Sequence, residues 1–149
     1  MATMLAPHFS LDEFIFSRTA ARIGLSNQPD PASLENLSRM ANVMESVRTI
    51  LGDRPILITS GFRAPPVNSA VGGASNSGHL TGLAVDFICP GFGTPREICR
   101  ALVPRIDELS IDLLILSYDQ FVHLELAGSG QPRRLVQTMD RNGTRNGIA

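Results

Sequence analysis

Apolar residues recur at helical spacing along one long segment of the chain. The recurrence every three or four positions predicts an amphipathic helix over 31–51. Asp30 followed by Pro31 is typical of a helix N-cap and first helical residue, and Gly52 follows the last apolar position as a C-terminal stop. The apolar positions predicted to face the core are Leu34, Leu37, Ala41, Met44, Val47 and Leu51.

Two shorter helices are predicted by capping boxes, in which a Ser or Thr precedes a Glu by three residues. The first is Ser10–Glu13, and the helix that follows should turn Phe14 and Ile15 inward. The second is Thr94–Glu97, which should begin a helix that ends near Leu109.

Four segments have the composition of β-strands. Asp119 and Gln120 separate the last two, which predicts a tight hairpin. A long segment rich in Gly, Ser, Pro and Asn separates the first two, and such loops are often functional. The order of elements predicts an α+β fold with a small, mostly antiparallel sheet flanked by helices. The predicted strands are 54–60, 82–88, 111–118 and 121–126.

The composition is that of an ordinary globular domain. The chain has 149 residues, 43% hydrophobic and 18% charged, with no apolar run long enough to span a membrane. The net charge of −1 gives no reason to expect a nucleic-acid partner, and a monomer is expected. The start of the chain lacks the pattern of a signal peptide, so synthesis in the cytoplasm is expected.

The C-terminal segment differs in charge from the rest. Residues 128–149 carry four Arg and one acidic residue, which predicts a mildly basic, solvated tail outside a domain over 1–127. Cys89 and Cys99 lack the spacing of a zinc knuckle or redox motif and are expected to be free, buried thiols.

A His and an Asp lie close together among small residues in "SNSGHLTGLAVDF". If 82–88 is a strand, Gly82, Ala84 and Asp86 share one face, and His79 at its entry can reach over that floor. Small side chains there would leave room for a ligand. Taken alone, such a His is more often structural, and such an Asp is more often a turn former.

The last predicted strand repeats the pattern. Val122, Leu124 and Leu126 should face the core, and Phe121, His123 and Glu125 the other side. If the two strands align their polar faces in one sheet, His79, Asp86 and His123 can converge. Two imidazoles and one carboxylate suit a catalytic Zn²⁺ with an open fourth position.

These residues carry a family resemblance. The segment Ser77-x-His79-x-x-Gly82-x-Ala84-x-Asp86 resembles the S-x-H-x-x-G-x-A-x-D signature of the D-Ala-D-Ala carboxypeptidase and dipeptidase family of zinc peptidases. That family includes phage endolysins and shares its fold with the hedgehog signalling domain. The upstream "TSGFRAPPVN" and the downstream "FVHLEL" look like matching segments of that family. The N-terminal "FSLDEFIFSRTAARIGLSNQP" looks like its short phage-type members.

The resemblance implies one Zn²⁺ per chain and hydrolysis of an amide bond in peptidoglycan stem peptides. It puts His79, Asp86 and His123 on the zinc ligands and Arg63 on a residue that holds substrate or polarises the carbonyl. Ser77 falls near the substrate, although a loop-stabilising hydroxyl is an equal interpretation. A phage endolysin made in the bacterial cytoplasm and acting at the cell wall is the expected role.

One position departs from the family pattern. At the position where the family has its general-base Glu, this chain has Ser117. A serine hydroxyl cannot replace a carboxylate in that role. Asp119, four residues before the last His, is the preferred substitute, and Glu125 is the other candidate. If neither serves, a zinc-stabilised wall-binding or structural module with weak or lost catalysis becomes the alternative. A third interpretation is a small structural domain without metal, and it would require the joint motif to be a coincidence.

Overall fold

The computed structural model describes residues 3–149, so the first two residues of the predicted domain 1–127 lie outside it. Helices and strands alternate in a mixed order, which confirms the α+β class. The helices are α1 Leu11–Ile15, α2 Arg18–Ile23, α3 Pro31–Ile50, α4 Pro65–Ala70 and α5 Pro95–Leu102, with short 3₁₀ helices at Gly78–Thr81 and Val103–Arg105. The strands are β1 Met4–Ala6, β2 Phe9–Ser10, β3 Leu57–Ser60, β4 Ala84–Ile88, β5 Ile111–Ser117, β6 Phe121–Leu126, β7 Leu135–Asp140 and β8 Gly143–Asn146.

The described chain divides into two compact units. The first comprises the residues up to Glu45 together with Ser60–Val85, and the second comprises Ser46–Thr59 and Asp86–Ala149. The first unit holds the small helices α1, α2 and α4, and the second holds α5 and most of the main sheet.

The predicted capping of α1 is confirmed within the first unit. The Ser10 side chain accepts a hydrogen bond from the backbone N–H of Glu13, and the Glu13 carboxylate accepts one from the backbone N–H of Ser10. Phe14 is buried and its ring lies 5.9 Å from that of Phe9. Helix α2, which the sequence did not predict, has Ser17 as its N-cap and Gly24 as its C-cap.

Helix α3 begins as predicted, because the Asp30 carboxylate accepts a hydrogen bond from the backbone N–H of Ser33. Leu34 was predicted to face the core but is 37% exposed. In that first turn the buried position is Ser33. The predicted apolar positions that are buried are Leu37, Ala41, Met44, Val47 and Leu51.

The second unit is built on the larger sheet, whose strand order is β3-β4-β6-β5-β7-β8. Strands β5 and β6 pair antiparallel, with Ile115 opposite His123 and Ser117 opposite Phe121. Three residues form the turn, and both Tyr118 and Asp119 have positive φ. This left-handed backbone suits the twist of a hairpin.

The faces of β6 are those the alternation predicted. Val122, Leu124 and Leu126 are buried, and the residues between them are partly exposed. Helix α5 contacts both β5 and β6 and buries Ile98, Cys99 and Leu102. It is shorter than the sequence predicted, because the chain changes to a 3₁₀ turn at Val103–Arg105, which contains Pro104.

The C-terminal segment is not a tail. Residues 135–146 form β7 and β8, which extend the main sheet beyond β5, so the predicted boundary at 127 does not separate a domain from a solvated segment. Asp112 in β5 accepts hydrogen bonds from the backbone and the guanidinium of Arg133, just before β7. The sequence did not predict β7, because its short apolar stretch lies among arginines, which favoured a solvated segment.

No helix of residues 3–149 is both long and apolar enough to cross a membrane.

Candidate metal centre

His79 lies in the 3₁₀ helix Gly78–Thr81, not at the entry of a strand as predicted, and it is buried. Its Nδ1 lies 2.6 Å from the carbonyl oxygen of Gly61. Because a carbonyl oxygen can only accept, Nδ1 carries the proton and Nε2 carries the lone pair. A ring held in this way through its N–H is typical of metal-binding histidines.

The backbone around His79 is also fixed. Its N–H donates to the hydroxyl of Ser77 over 3.2 Å, and its carbonyl accepts from the N–H of Arg63 over 2.9 Å. The segment Gly61–Arg63, directly after β3, therefore holds both the ring and the backbone of His79.

Asn27 supports this segment, although no role was predicted for it from the sequence. Its buried side chain donates to the carbonyl oxygens of Ile15 and Phe62 and accepts from the N–H of Ala64. These bonds flank Arg63 on both sides. The only sequence signal was an Asn among turn formers, which does not reveal partners tens of residues away.

Asp86 and His123 lie on the neighbouring strands β4 and β6. The Asp86 carboxylate is 2.7 Å from Nδ1 of His123, and the two side chains are 13% and 16% exposed. Nε2 of the same imidazole lies 2.9 Å from the carboxylate of Glu125, two residues along β6 and on the same face.

Two carboxylates therefore surround the His123 ring. Burial disfavours the charged imidazole, but the hydrogen bonds to Asp86 and Glu125 and the charges of both carboxylates outweigh it and raise the pKa of His123 to about 9. Because a metal binds the neutral ring, a proton and a metal ion compete for His123.

Three residues could together hold a metal ion. His79, Asp86 and His123 each offer one ligand atom, and these atoms lie within 4.8 Å of one another. Nitrogen and carboxylate donors suit Zn²⁺, whose catalytic sites use three protein ligands and leave one position open. The donor set and the fixed tautomer of His79 both fit that ion.

Gly82 does not form the floor that the sequence predicted. It ends the 3₁₀ helix with a φ of 78°, before β4 begins at Ala84. A Cβ at this position would lie 2.8 Å from the carbonyl oxygen of Ser33 and 3.0 Å from Leu37 Cγ. The positive φ favours glycine, and the close packing on α3 leaves no room for a Cβ.

Comparison with known proteins identifies the family. The family model described as Peptidase M15 matches residues 7–125. The chain belongs to the peptidase M15 family. This confirms the resemblance drawn from the motifs. A segment of 43 residues, 29% of the chain, is 49% identical to the zinc D-Ala-D-Ala carboxypeptidase of Streptomyces albus G, and it spans 17% of that relative's length.

The residues of this M15 peptidase that match the upstream family motif lie beside His79. The Arg63 guanidinium donates to the Ser77 hydroxyl over 3.3 Å, while the same hydroxyl accepts from the backbone of His79. Ser77 thus acts at least as a loop-stabilising hydroxyl. Asn68, which ends the "GFRAPPVN" segment, is buried and holds the following loop by donating to the carbonyl of Ala74.

The three positions considered for the general base have different environments in the structure. Ser117, at the end of β5, is buried and carries no carboxylate. Asp119, in the turn after it, is 66% exposed and pairs with Arg96 of α5 at 2.9 Å. Glu125 contacts the imidazole of His123.

Cys89 and Cys99 are free and buried, as the sequence predicted. Burial raises the pKa of the Cys99 thiol to about 12. A thiol held protonated in this way is a poor metal ligand and a poor nucleophile.

Proposed function

We propose that this M15 peptidase hydrolyses an amide bond in peptidoglycan stem peptides or cross-links, in the manner of a D-Ala-D-Ala carboxypeptidase or endopeptidase. The observation that carries the proposal is the group His79, Asp86 and His123, a zinc-type donor set in a chain of a peptidase family. The partial identity to a zinc D-Ala-D-Ala carboxypeptidase supports the metal and the substrate class.

His79, Asp86 and His123 would hold the ion. Zinc supplies Lewis-acid chemistry, which polarises a carbonyl and activates water near neutral pH. One carboxylate among the ligands offsets part of the ion's charge and leaves a net positive centre for a developing oxyanion.

Arg63 is proposed to bind substrate. A guanidinium can grip the carboxylate of a peptide terminus through two parallel hydrogen bonds or stabilise a developing oxyanion. Its bond to Ser77 sets its direction, and the Asn27 contacts to both flanking residues hold its backbone. Ser77 is proposed to contribute to the same substrate subsite.

Asp119 is proposed as the general base. Its ion pair with Arg96 is solvent-exposed on both sides, at 66% and 33%, and such pairs contribute only about 0–1 kcal/mol. Leaving Arg96 therefore costs little. Glu125, in contrast, is bonded to the imidazole that the proposal makes a zinc ligand.

A second candidate is a zinc-stabilised wall-binding module with weak or lost catalysis. It is favoured by the serine at 117 together with the engagement of both nearby carboxylates by other groups. It keeps the metal ligands and removes the base, which typically contributes about 10²–10⁴ in rate.

A phage endolysin is the biological setting we propose, with synthesis in the bacterial cytoplasm and action at the wall. The support is the compact size of the chain and the resemblance of the N-terminal segment to short phage-type members of the family. Peptidoglycan is then the partner, and a monomer is sufficient.

The test is digestion of purified peptidoglycan and of synthetic stem peptides that end in D-Ala-D-Ala, with products identified by mass spectrometry. The wild type should release defined fragments, and His123→Ala should not. Sedimentation with intact walls separates the two candidates. Wall binding by both proteins without any cleavage would favour the module.

A further inference from the structure

The imidazole of His123 has two carboxylate neighbours, one at each ring nitrogen. Asp86 lies 2.7 Å from Nδ1 and Glu125 lies 2.9 Å from Nε2. If the ring binds a metal together with Asp86, it does so through Nδ1, the nitrogen that faces this co-ligand. Nε2 then keeps its proton and donates to Glu125.

From this arrangement we propose that Glu125 is the residue that positions His123 for zinc, and that it is not the general base. The proposal rests on the proposed function, because it needs His123 to be a ligand. A carboxylate that accepts the second N–H of a metal-binding histidine fixes the tautomer and the ring orientation.

The geometry of the ring argues against the role of base. The two nitrogens of an imidazole point in divergent directions, so a carboxylate hydrogen-bonded to Nε2 would lie across the ring from a metal ion held at Nδ1. A general base must lie within hydrogen-bond reach of the water it deprotonates. Glu125 is turned instead to the far side of the ligand.

The positions of β5 that face this part of β6 are apolar. His123 is opposite Ile115 and Glu125 is opposite Leu113, so both facing positions on that strand are apolar. Glu125 is placed by the two-residue period of β6 itself, which sets it on the same face as the ring. Its side chain is 21% exposed, so its hydrogen bond to the ring is largely shielded from water.

The test measures zinc affinity in Glu125→Ala and Glu125→Gln by competition with a chromophoric chelator, using Zn²⁺ alone as the probe. Loss of such a carboxylate typically lowers metal affinity about 10–100-fold, and we expect that loss in the Ala variant. Glutamine still offers a carbonyl oxygen to Nε2–H, so Glu125→Gln should recover most of the affinity. Glu108→Ala, which removes an exposed carboxylate paired with Arg105, is the matched control and should equal the wild type.

A second readout reports the ring directly. In a ¹H–¹⁵N spectrum of the zinc-loaded protein, His123 should show a protonated, hydrogen-bonded Nε2 in the wild type and Glu125→Gln, and should lose that signal in Glu125→Ala. The Gln variant keeps the proposal testable even if the Ala variant fails to fold. Zinc affinity in the Gln variant as low as in His123→Ala would overturn the proposal.

The other outcomes are separable. Unchanged zinc affinity in both Glu125 variants with an about 10²–10⁴-fold lower kcat in Glu125→Gln would make Glu125 the base and overturn the positioning role. No change in either quantity would overturn it as well. Retention of zinc by His79→Ala and His123→Ala would instead refute the ligand assignment, and so the proposed function itself.

Discussion

The carbonyl oxygen of Gly61 lies 2.6 Å from Nδ1 of His79, so the residue directly after β3 sets the tautomer of a predicted zinc ligand. The adjacent N–H of Phe62 donates to the carbonyl of Phe14, which fixes the same segment against α1. The position of a helix residue and the orientation of the imidazole are thereby connected through two neighbouring peptide groups.

Gly61→Ala should destabilise the protein and weaken zinc binding together. A Cβ at position 61 would overlap the carbonyl of Phe14 and lie 2.9 Å from its Cα, so backbone must move. Overpacking of this kind typically costs about 1–3 kcal/mol. Urea denaturation measures the free energy of unfolding, and chelator competition measures the affinity.

Gly91→Ala is the matched control for that substitution. Its Cβ would meet Arg54 at 3.6 Å, which is ordinary van der Waals contact. It should leave both quantities near the wild type. Equal behaviour of the two variants would contradict the role assigned to Gly61.

Asp119→Asn should lower kcat by about 10²–10⁴ without changing the zinc content, because it removes the proposed base and no ligand. Arg96→Ala removes the ion-pair partner of Asp119 and should not lower kcat. Steady-state hydrolysis of a stem peptide with metal analysis of each variant checks both expectations. Full activity in Asp119→Asn would exclude it as the base.

Arg133→Ala and Arg134→Ala form a matched pair of variants for measuring the free energy of unfolding. The Arg133 guanidinium bonds to the buried Asp112. Arg133→Ala removes these bonds and leaves the carboxylate only the backbone N–H of residue 133, which should cost about 1–3 kcal/mol at pH 7. Arg134 pairs with the exposed Asp107, where about 0–1 kcal/mol is expected. Urea denaturation of both Ala variants measures the difference.

The cost of Arg133→Ala should depend on pH. The hydrogen bond from Arg133 holds the pKa of Asp112 below its ordinary value of 3.8 in the folded protein. The resulting stabilisation is present above about pH 4 and is lost as the pH falls through the folded value. The free energies of unfolding of wild type and Arg133→Ala should therefore converge in acid. A constant difference would show that the charge of Asp112 is not involved.

The sequence predicted those features that depend on local pattern. The capping box at Ser10, the Asp30 cap of α3 and the alternation on β6 each rest on near neighbours in the chain, and each is confirmed. The His–Asp–His set was predicted from the joint pattern of two strands and from the family resemblance, and one ligand atom of each residue lies within 4.8 Å of the others.

Other features depend on partners far away in the chain. Gly82 fitted a strand pattern, but it caps the 3₁₀ helix with a positive φ, and a Cβ there would meet the carbonyl oxygen of Ser33. The strand β7 pairs in parallel with β5, and the residues near Leu135 in the sequence do not indicate that partner. Asn27 likewise binds backbone groups at Ile15 and Phe62, which no turn propensity could reveal.

Zinc-dependent hydrolysis is tested most directly by the zinc content of the purified protein, measured by elemental analysis and paired with release of new amine termini from peptidoglycan with and without chelator. We expect about one zinc per chain, loss of that zinc in His79→Ala, Asp86→Ala and His123→Ala, and release that chelator abolishes. Absence of zinc from the wild type, or amine release that persists after chelation, would contradict a zinc peptidase built on these three residues.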